Sequence, residues 1–289
     1  MAKRKKAPGT TARKRAPRRA VTGKAAANVG TATRKVLVIV HGAGSFPNDY
    51  YVPLVNQIET RLGRPFNYIP VYYADVTNPP ATMMLKAAAP DSPELAQFKQ
   101  KFIAAMQQSS DALPPAPKMM GIASGGAFGN VGGISLVEII AKEVGDYLFA
   151  PSVSAQIQAR LTAGLDQAAQ QYDEIVLAAL SLGTVVSFDV LRQSADHYPV
   201  AYFFSTGCPL AKLRRVGVRA ADVGAISPAT VAHWYNLYDT NDIVADALGP
   251  QFPNYRLHDI YVQVGNDPIS AHDYFNNAAS LDLLADAMR

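Results

Sequence analysis

The chain has 289 residues, and 49% of them are hydrophobic, which is enough for the core of one large α/β domain or two small ones. It contains one cysteine, Cys208, so an intramolecular disulfide and a cysteine-based metal cluster are both excluded. The formal net charge of +4 is unevenly distributed: residues 1–35 carry twelve Lys and Arg and no Asp or Glu, whereas the remainder carries 15 basic and 23 acidic residues. The five histidines lack the H-x-x-x-H spacing of a zinc site, and we expect no metal or other cofactor.

The first 33 residues are predicted to form a disordered basic tail. They are rich in Lys, Arg, Ala, Pro and Thr, have no apolar periodicity, and lack the apolar core of a secretory signal, which favours a cytoplasmic location. One interpretation is that the tail, from Lys3 to Lys35, binds an anionic surface, either nucleic acid or membrane. A second is that it is a solvated extension with no single partner, and a third, less favoured, is that it is a transit peptide, because it is rich in Arg and free of acidic residues. Nothing in the sequence indicates an obligate protein partner.

The elements that follow the tail predict a parallel sheet. The β-branched run at 35–46 predicts a strand that ends in a tight loop, and residues 49–63 have apolar side chains at helical spacing up to Gly63. Residues 66–76 predict the next strand. A strand, a helix and a strand of these lengths form a βαβ unit, in which the two strands run parallel.

Residues 77–150 interrupt this alternation and are predicted to form an inserted helical cap. A helix is expected at about 92–108, followed by a linker and by the apolar, glycine-rich segment 119–140. This segment is long enough to span a membrane, but Asn130, Glu138 and six glycines favour a cover over a site or a closely packed core segment. Four methionines of the insertion favour an apolar substrate or simply fill core: Met83, Met84, Met119 and Met120.

The α/β alternation resumes after residue 150 and completes one predicted domain over 34–289. We therefore expect an α/β fold with a mostly parallel central sheet flanked by helices. The remaining predicted elements, in chain order, are a helix at 153–172, a strand at 174–180, a helix at 183–196, a strand and loop at 200–210, a strand and loop at 231–248, a short strand at 257–265 and a closing helix at 280–288.

A serine lies at the junction between the strand at 174–180 and the helix that follows. Ser181 stands in the sequence Ala179-Leu180-Ser181-Leu182-Gly183, a small-x-Ser-x-Gly pattern. A sharp strand-to-helix turn presents a serine oxygen at the end of a packed sheet, and small flanking residues let the two backbones approach. The pattern predicts a nucleophile; the alternative is a serine in an ordinary loop or at a helix N-cap.

A nucleophilic serine also needs donors for the oxyanion that forms when it attacks a carbonyl. The sequence His41-Gly42-Ala43-Gly44 follows the first predicted strand. We expect the backbone N–H groups of Ala43 and Leu182 to form this oxyanion hole. The alternative is an ordinary glycine-rich turn, and a phosphate-binding loop is less favoured because the third glycine of that motif is missing.

The acid and the base are expected later in the chain. Asp242, directly before an Ile-Val pair, is the preferred acid, and Asp239 is the reserve candidate. His272 lies in a turn-rich loop ahead of the last helix and is the preferred base, whereas His258 and His233 are assigned structural or surface positions. A carboxylate orients such an imidazole and stabilises its charged form.

Five segments, in chain order, resemble the α/β-hydrolase superfamily, and most of all its lipase- and esterase-like members: VLVIVHGAGSF, ALSLGT, STGCPL, YDTNDIVA and SAHDYF. The resemblance covers roughly residues 35–289, and it implies the α/β-hydrolase fold with the order serine, acid, histidine along the chain. Two positions depart from the family pattern. Ala179 occupies the first small position of the elbow, and Cys208 stands where many relatives carry serine. The latter position is structural in the resemblance, so we assign Cys208 no catalytic role.

The sequence therefore predicts a serine hydrolase that cleaves a carboxylic ester, from a small molecule or a lipid, through an acyl-enzyme. A lipase or esterase is only modestly favoured over a peptidase, a thioesterase or an amidase. The alternative is a non-catalytic binding protein on a hydrolase scaffold, which uses its basic tail to bind nucleic acid or an anionic membrane. A combination of the two, in which the tail recruits the enzyme to a polyanionic surface, also remains open.

Overall fold

Six parallel strands form the central sheet of the protein, in the spatial order β2-β1-β3-β4-β5-β6. The computed structural model describes residues 33–78, 91–111, 136–194, 198–218, 226, 230–252, 257–268 and 270–289. The described residues between Thr33 and Arg289 form one compact unit. The strands are β1 (Lys35–Val40), β2 (Asn67–Val71), β3 (Glu174–Leu180), β4 (Val200–Thr206), β5 (Val231–Tyr238) and β6 (Leu257–Tyr261).

Helices cover both faces of this sheet, which confirms the predicted α/β class with a parallel sheet. Short 3₁₀ turns lie at Gly249–Gln251, Ser270–His272 and Tyr274–Asn276. The helices are α1 (Val52–Leu62), α2 (Ala74–Thr77), α3 (Pro93–Asp111), α4 (Leu136–Phe149), α5 (Pro151–Gln171), α6 (Leu182–Gln193), α7 (Leu210–Arg215) and α8 (Ala278–Met288).

The central strands are apolar along their whole length because both of their sides are buried. In β3 the sequence Glu174–Leu180 alternates between two cores, with Ile175 and Leu177 facing one and Val176 and Ala178 facing the other. Fully burying a large aliphatic side chain contributes about 1.5–3 kcal/mol, so a strand of this composition is stable only at the centre of the fold.

A separate hydrophobic core lies on each face of the sheet, and different helices pack into each of them. Helices α1 and α8 pack on one face, and α3, α4, α5 and α6 belong to the core on the other. Helix α1 follows β1 and helix α6 follows the neighbouring strand β3, so the chain leaves these adjacent strands in opposite directions. Such a reversal opens a crevice at the carboxyl ends of the two strands, where parallel α/β folds bind ligands.

The described part of the predicted cap contributes to the body of the domain. Phe98 and Phe102 of α3, and Ile140 and Val144 of α4, are buried in the larger core. Residues 79–90 and 112–135, which include the four methionines of the sequence prediction, lie outside the described residues, as does the predicted tail up to residue 32. None of the helices among the described residues has both the length and the apolar character of a membrane span.

Two strands are shorter than the sequence pattern predicts. The strand predicted at 66–76 ends at Val71, because the backbone N–H of Tyr73 donates to Nε2 of His41 instead of to a neighbouring strand. The strand predicted at 257–265 ends at Tyr261, because the backbone N–H groups of residues 264 and 265 donate to a buried carboxylate, that of Asp239.

Candidate active site

Ser181 occupies a strained turn between β3 and α6. Its backbone has φ 50° and ψ −122°, and it is the one residue other than glycine with a positive φ within the described ranges. A non-glycine residue in such a region costs about 1–3 kcal/mol, and such strain is concentrated at functional sites. The turn is held by two hydrogen bonds: the Ser181 N–H donates to the Thr206 carbonyl at the end of β4, and the Ser181 carbonyl accepts from the Thr184 hydroxyl.

The small residues around Ser181 are required by close packing. A Cβ atom on Gly183 would lie 2.4 Å from the carbonyl oxygen of His41, a separation that real Cβ atoms do not show. Gly42 lies directly beside the serine, since a Cβ there would be 2.8 Å from the Ser181 Cβ. The loop after β1 and the turn after β3 are therefore in contact, as the pairing of Val40 with Ala179 requires.

The Ser181 hydroxyl is not used for capping or for holding the turn. Ser181 stands at the N-cap position of α6, but its side chain makes no cap hydrogen bond. The residue is 2% exposed, and Oγ makes no hydrogen bond to any of the described residues. The alternative interpretation of this residue as a helix cap therefore loses its physical basis.

Asp242 and His272, thirty residues apart in sequence, are hydrogen-bonded. The Nδ1 atom of His272 lies 2.8 Å from Oδ2 of Asp242, and both side chains are buried. A carboxylate beside Nδ1 fixes the tautomer in which Nδ1 carries the proton, so that Nε2 can act as a base. The contact predicted from the sequence between these two residues is present.

Tyr274 and a backbone amide hold the carboxylate of Asp242 in place. The Tyr274 hydroxyl donates to Oδ2 of Asp242 at 3.0 Å, and the Val244 N–H donates to Oδ1 at 2.8 Å. The Tyr274 oxygen in turn accepts the Asp239 N–H at 2.8 Å. Burial, reinforced by the charge of Asp242, raises the pKa of Tyr274 well above its ordinary value, so the phenol remains a donor.

Asp239, the reserve acid, has a different set of partners. Its Oδ1 accepts the Asn241 N–H at 2.9 Å, and its Oδ2 accepts the N–H groups of Val264 and Gly265 at 2.7 and 3.1 Å. These bonds tie the loop after β5 to the segment that leads to His272. Asp239 is therefore a structural anchor, and the carboxylate that reaches the imidazole is that of Asp242.

Ser181 and His272 are both located at the carboxyl end of β4. Ser181 bonds to Thr206, and the next residue, Gly207, packs against the histidine ring: a Cβ on Gly207 would lie 2.7 Å from Cε1 of His272. The hydrogen bond between the Ser181 hydroxyl and the imidazole is not formed in this structure. In unliganded enzymes such bonds are often long and shorten only when substrate is present.

His41 is a structural residue of the loop after β1. Its Nδ1 is 2.8 Å from the Gly42 carbonyl, and its Nε2 accepts the Tyr73 N–H at 3.0 Å. One ring nitrogen therefore donates and the other accepts, which only the neutral imidazole can do. Burial lowers the pKa of His41 to about 4, in agreement with this assignment, and the ring stacks on Phe46 and Tyr73.

The two expected oxyanion donors lie on either side of the contact between Gly42 and Ser181. Leu182 is the first residue of α6, and the first N–H groups of a helix have no intrahelical acceptor. Ala43 follows Gly42 in the loop and is buried. The helix N-terminus adds a positive potential at the point where the Ser181 side chain begins.

The other residues considered from the sequence are structural. Cys208 is fully buried, its Sγ lies 3.1 Å from the Thr184 hydroxyl oxygen, and burial raises its pKa to about 12, so it is an inert thiol. His258 is exposed, and His233 stacks on Tyr202 away from the site. Across the part of the chain that the structure describes, there is no group of three or more His, Cys, Asp or Glu residues that could hold a metal.

Two residues of the site carry no signal in the sequence. Tyr274 lies two positions after His272 in a loop, where its hydroxyl has no predictable partner. Glu143 lies on α4, outside every recognisable motif, yet its Oε1 accepts the Gly44 N–H at 3.1 Å. A buried glutamate so far along the chain from the glycine could be found only from the folded structure.

No protein-family model matches the chain, and no curated protein is similar to it at a significant level.

Proposed function

We propose that this protein is a serine hydrolase of the α/β-hydrolase type, which cleaves a carboxylic ester through an acyl-enzyme on Ser181. The observation that carries the proposal is the buried hydrogen bond between Asp242 and His272, at the same edge of the sheet as a serine in a strained turn. A strained backbone, a buried hydroxyl without a hydrogen bond and a buried imidazole each cost stability. Apolar residues in an unstrained turn would serve a purely structural purpose better.

The proposed reaction begins with attack of the Ser181 oxygen on the carbonyl carbon of the ester. His272 Nε2 accepts the hydroxyl proton as the new C–O bond forms, and Asp242 stabilises the resulting imidazolium. The negative charge moves to the carbonyl oxygen, which the N–H groups of Ala43 and Leu182 would stabilise. Collapse of this intermediate breaks the ester C–O bond, and the imidazolium gives its proton to the departing alcohol.

The second half of the proposed reaction releases the acid. Water attacks the acyl group on Ser181, and His272 accepts one of its protons. The tetrahedral intermediate then expels the serine oxygen, which takes the proton back from the imidazolium. The Ser181 hydroxyl must reach Nε2 of His272 when substrate is bound, so the proposal requires this hydrogen bond to form in a complex with substrate or inhibitor.

The proposal is tested by hydrolysis of p-nitrophenyl esters of increasing acyl length. Ser181→Ala is expected to reduce kcat by at least about 10³-fold, because the covalent route is lost. Ser187→Ala is the matched control, since Ser187 is a buried serine within α6, six positions after Ser181, and its Oγ also makes no hydrogen bond to described residues. Equal activity of wild type and Ser181→Ala would exclude Ser181 as the nucleophile.

A second candidate function rests on the charge distribution. Twelve Lys and Arg and no acidic residue in positions 1–35 are suited to binding nucleic acid or an anionic membrane, with or without ester hydrolysis. This function predicts binding to DNA or anionic vesicles that weakens steeply with salt and is lost when residues 1–32 are deleted. Binding of that kind without any ester turnover would favour it over the hydrolase.

A further inference from the structure

Glu143 is a buried acid beside the loop that follows β1. It is 1% exposed and lies on α4 among the apolar residues Ile140, Ala141 and Val144. Its Oε1 accepts the Gly44 N–H at 3.1 Å and the side-chain amide of Asn78 at 2.9 Å. An acid at such a position is costly unless its hydrogen bonds are needed, because desolvation of a carboxyl group is poorly repaid in an apolar environment.

Glu143 and Asn78 together bind both backbone polar groups of Gly44, its N–H and its carbonyl. The Gly44 N–H donates to Glu143, and the Gly44 carbonyl accepts from the same Asn78 amide at 3.3 Å. Gly44 has φ +119°, a conformation that a side chain would strain. The unusual backbone conformation of Gly44 is thus fixed by hydrogen bonds from two other elements of the fold.

Gly44 is adjacent to Ala43, whose backbone N–H is one of the two expected oxyanion donors. On one side of Ala43, the Gly42 carbonyl accepts from Nδ1 of His41, which orients the peptide group that carries the Ala43 N–H. On the other side, Glu143 orients the peptide group between Ala43 and Gly44. Rotation of Ala43 requires at least one of these two anchors to break.

The burial of Glu143 is incompletely compensated. Burial raises the pKa of its carboxyl, and the hydrogen-bonding groups of Asn78, Gly44 and Thr77 offset this only in part. Its second oxygen, Oε2, is buried and accepts no hydrogen bond from the described residues. A residue that served only to fill space at this position would be apolar, like its neighbours on α4.

We propose that Glu143 is a positioning residue, which holds the loop at Gly44 so that the Ala43 N–H is directed at the oxyanion. This inference rests on the proposed hydrolase function and adds a part of the site to it. The hydrogen bonds of Glu143 are made to Gly44 and Asn78, and not to Ser181, Asp242 or His272, so its effect should be confined to stabilisation of the tetrahedral transition state.

The test compares Glu143→Gln with Glu143→Ala in the full chain. A glutamine oxygen can accept both hydrogen bonds at the position of Oε1, so Glu143→Gln should retain kcat within about twofold. Glu143→Ala should lower kcat by about 10-fold to 100-fold with little change in KM for a p-nitrophenyl ester, since loss of one well-placed oxyanion donor costs about 10²–10³-fold. The affinity for an alkyl trifluoromethyl ketone, which forms a tetrahedral adduct, should fall by the same factor.

Asn78→Ala provides a second variant in case Glu143→Ala does not fold. It removes the bond to the Gly44 carbonyl and leaves the bond between Gly44 and Glu143, so a smaller loss of kcat, about 3-fold to 10-fold, is expected. Thermal denaturation of each variant shows whether it is folded. A folded Glu143→Ala or Asn78→Ala with the kcat and ketone affinity of wild type would overturn the inference.

The remaining outcomes separate this inference from the proposed function. A loss of kcat in Glu143→Gln as large as that in Glu143→Ala would show that the charge, and not the hydrogen bonds, is needed, and would also overturn it. An increase in KM alone would overturn it too, and would assign Glu143 to substrate binding instead. A wild-type protein with no turnover and no ketone adduct would remove the proposed function, and the inference with it.

Discussion

At the scale of single residues, the site depends on the hydrogen bonds that hold the buried carboxylate of Asp242. Asp242 receives hydrogen bonds from His272 and Tyr274, which lie two residues apart, and from the Val244 N–H in its own turn. The position directly before an Ile-Val pair favoured Asp242 over Asp239, and the observed contact with His272 agrees with that preference. The sequence could not distinguish the two by chemistry, because either aspartate could have ended the same turn.

Replacement of Tyr274 with Phe should weaken both the fold and the site. The variant loses a donor to Asp242 and leaves the buried Asp239 N–H without its acceptor. We expect a loss of about 1–3 kcal/mol in the free energy of unfolding, measured in urea, and a several-fold decrease in kcat/KM. A variant with wild-type stability and activity would show that these two hydrogen bonds do not contribute.

The neutral state of His41 predicts a dependence of stability on pH. Its pKa is about 4 in the folded protein, against 6.5 for an unperturbed histidine. Between these values the unfolded chain binds the extra proton, so the folded state loses stability as pH falls from about 6.5 to about 4 and gains nothing from this group at higher pH. The loss should approach about 3 kcal/mol.

A comparison with His41→Gln isolates the contribution of His41 from that of other titrating groups. The difference in the free energy of unfolding between wild type and variant should narrow by about 3 kcal/mol as pH decreases from about 6.5 to about 4. A difference that stays constant from about pH 7 to about pH 4 would mean that the folded state tolerates a charged ring at position 41.

At the scale of secondary structure, hydrophobic periodicity predicted the strands and helices that carry the site. Strand β3 was recognised from an unbroken apolar run, and α6 from the pattern that follows it. The ends of elements were less predictable, because they depend on distant partners. The early end of β2 follows from the bond between Tyr73 and His41, and that of β6 from the carboxylate of Asp239. Neither partner is visible in the local sequence.

The contact between the loop after β1 and the turn after β3 predicts that Gly183→Ala lowers both stability and activity. Alanine suits a helix better than glycine by about 1 kcal/mol, so any loss of stability must come from the 2.4 Å approach of its Cβ to the His41 carbonyl. We expect a net loss of about 2 kcal/mol or more in the free energy of unfolding in urea, together with loss of the proposed ester hydrolysis.

Gly63→Ala is the control for this substitution. Gly63 has φ +67°, and a Cβ there would meet no other described residue within 4 Å. Alanine at this position should therefore cost only the backbone term of about 1–2 kcal/mol and leave activity unchanged. A Gly183→Ala variant as stable and active as wild type would show that the loop after β1 and the turn after β3 do not pack this closely.

At the scale of the whole molecule, the chain combines an acidic domain with a basic N-terminal segment. Residues 33–289 carry 17 Lys and Arg against 23 Asp and Glu, whereas the first 32 residues carry ten basic residues and no acidic one. The sequence alone reveals this division, and it also predicted the parallel sheet. It could not reveal Glu143, whose partner Gly44 lies 99 positions away in the chain.

Deletion of residues 1–32 should leave the proposed enzyme intact. All described site residues belong to the unit that begins at Thr33, so kcat/KM for a small soluble ester and the Tm should remain within experimental error of wild type. Binding to anionic vesicles at low salt should be lost. Loss of ester turnover in the shortened chain would instead connect the basic segment directly to the reaction.

Covalent modification by a fluorophosphonate shows most directly whether Ser181 is the nucleophile. We expect intact-mass spectrometry to show one adduct per chain and peptide mapping to locate it on Ser181, with labelling abolished in Ser181→Ala and retained in Ser187→Ala. An unmodified wild-type protein, or an adduct on a different residue, would contradict the assignment of Ser181 as the nucleophile.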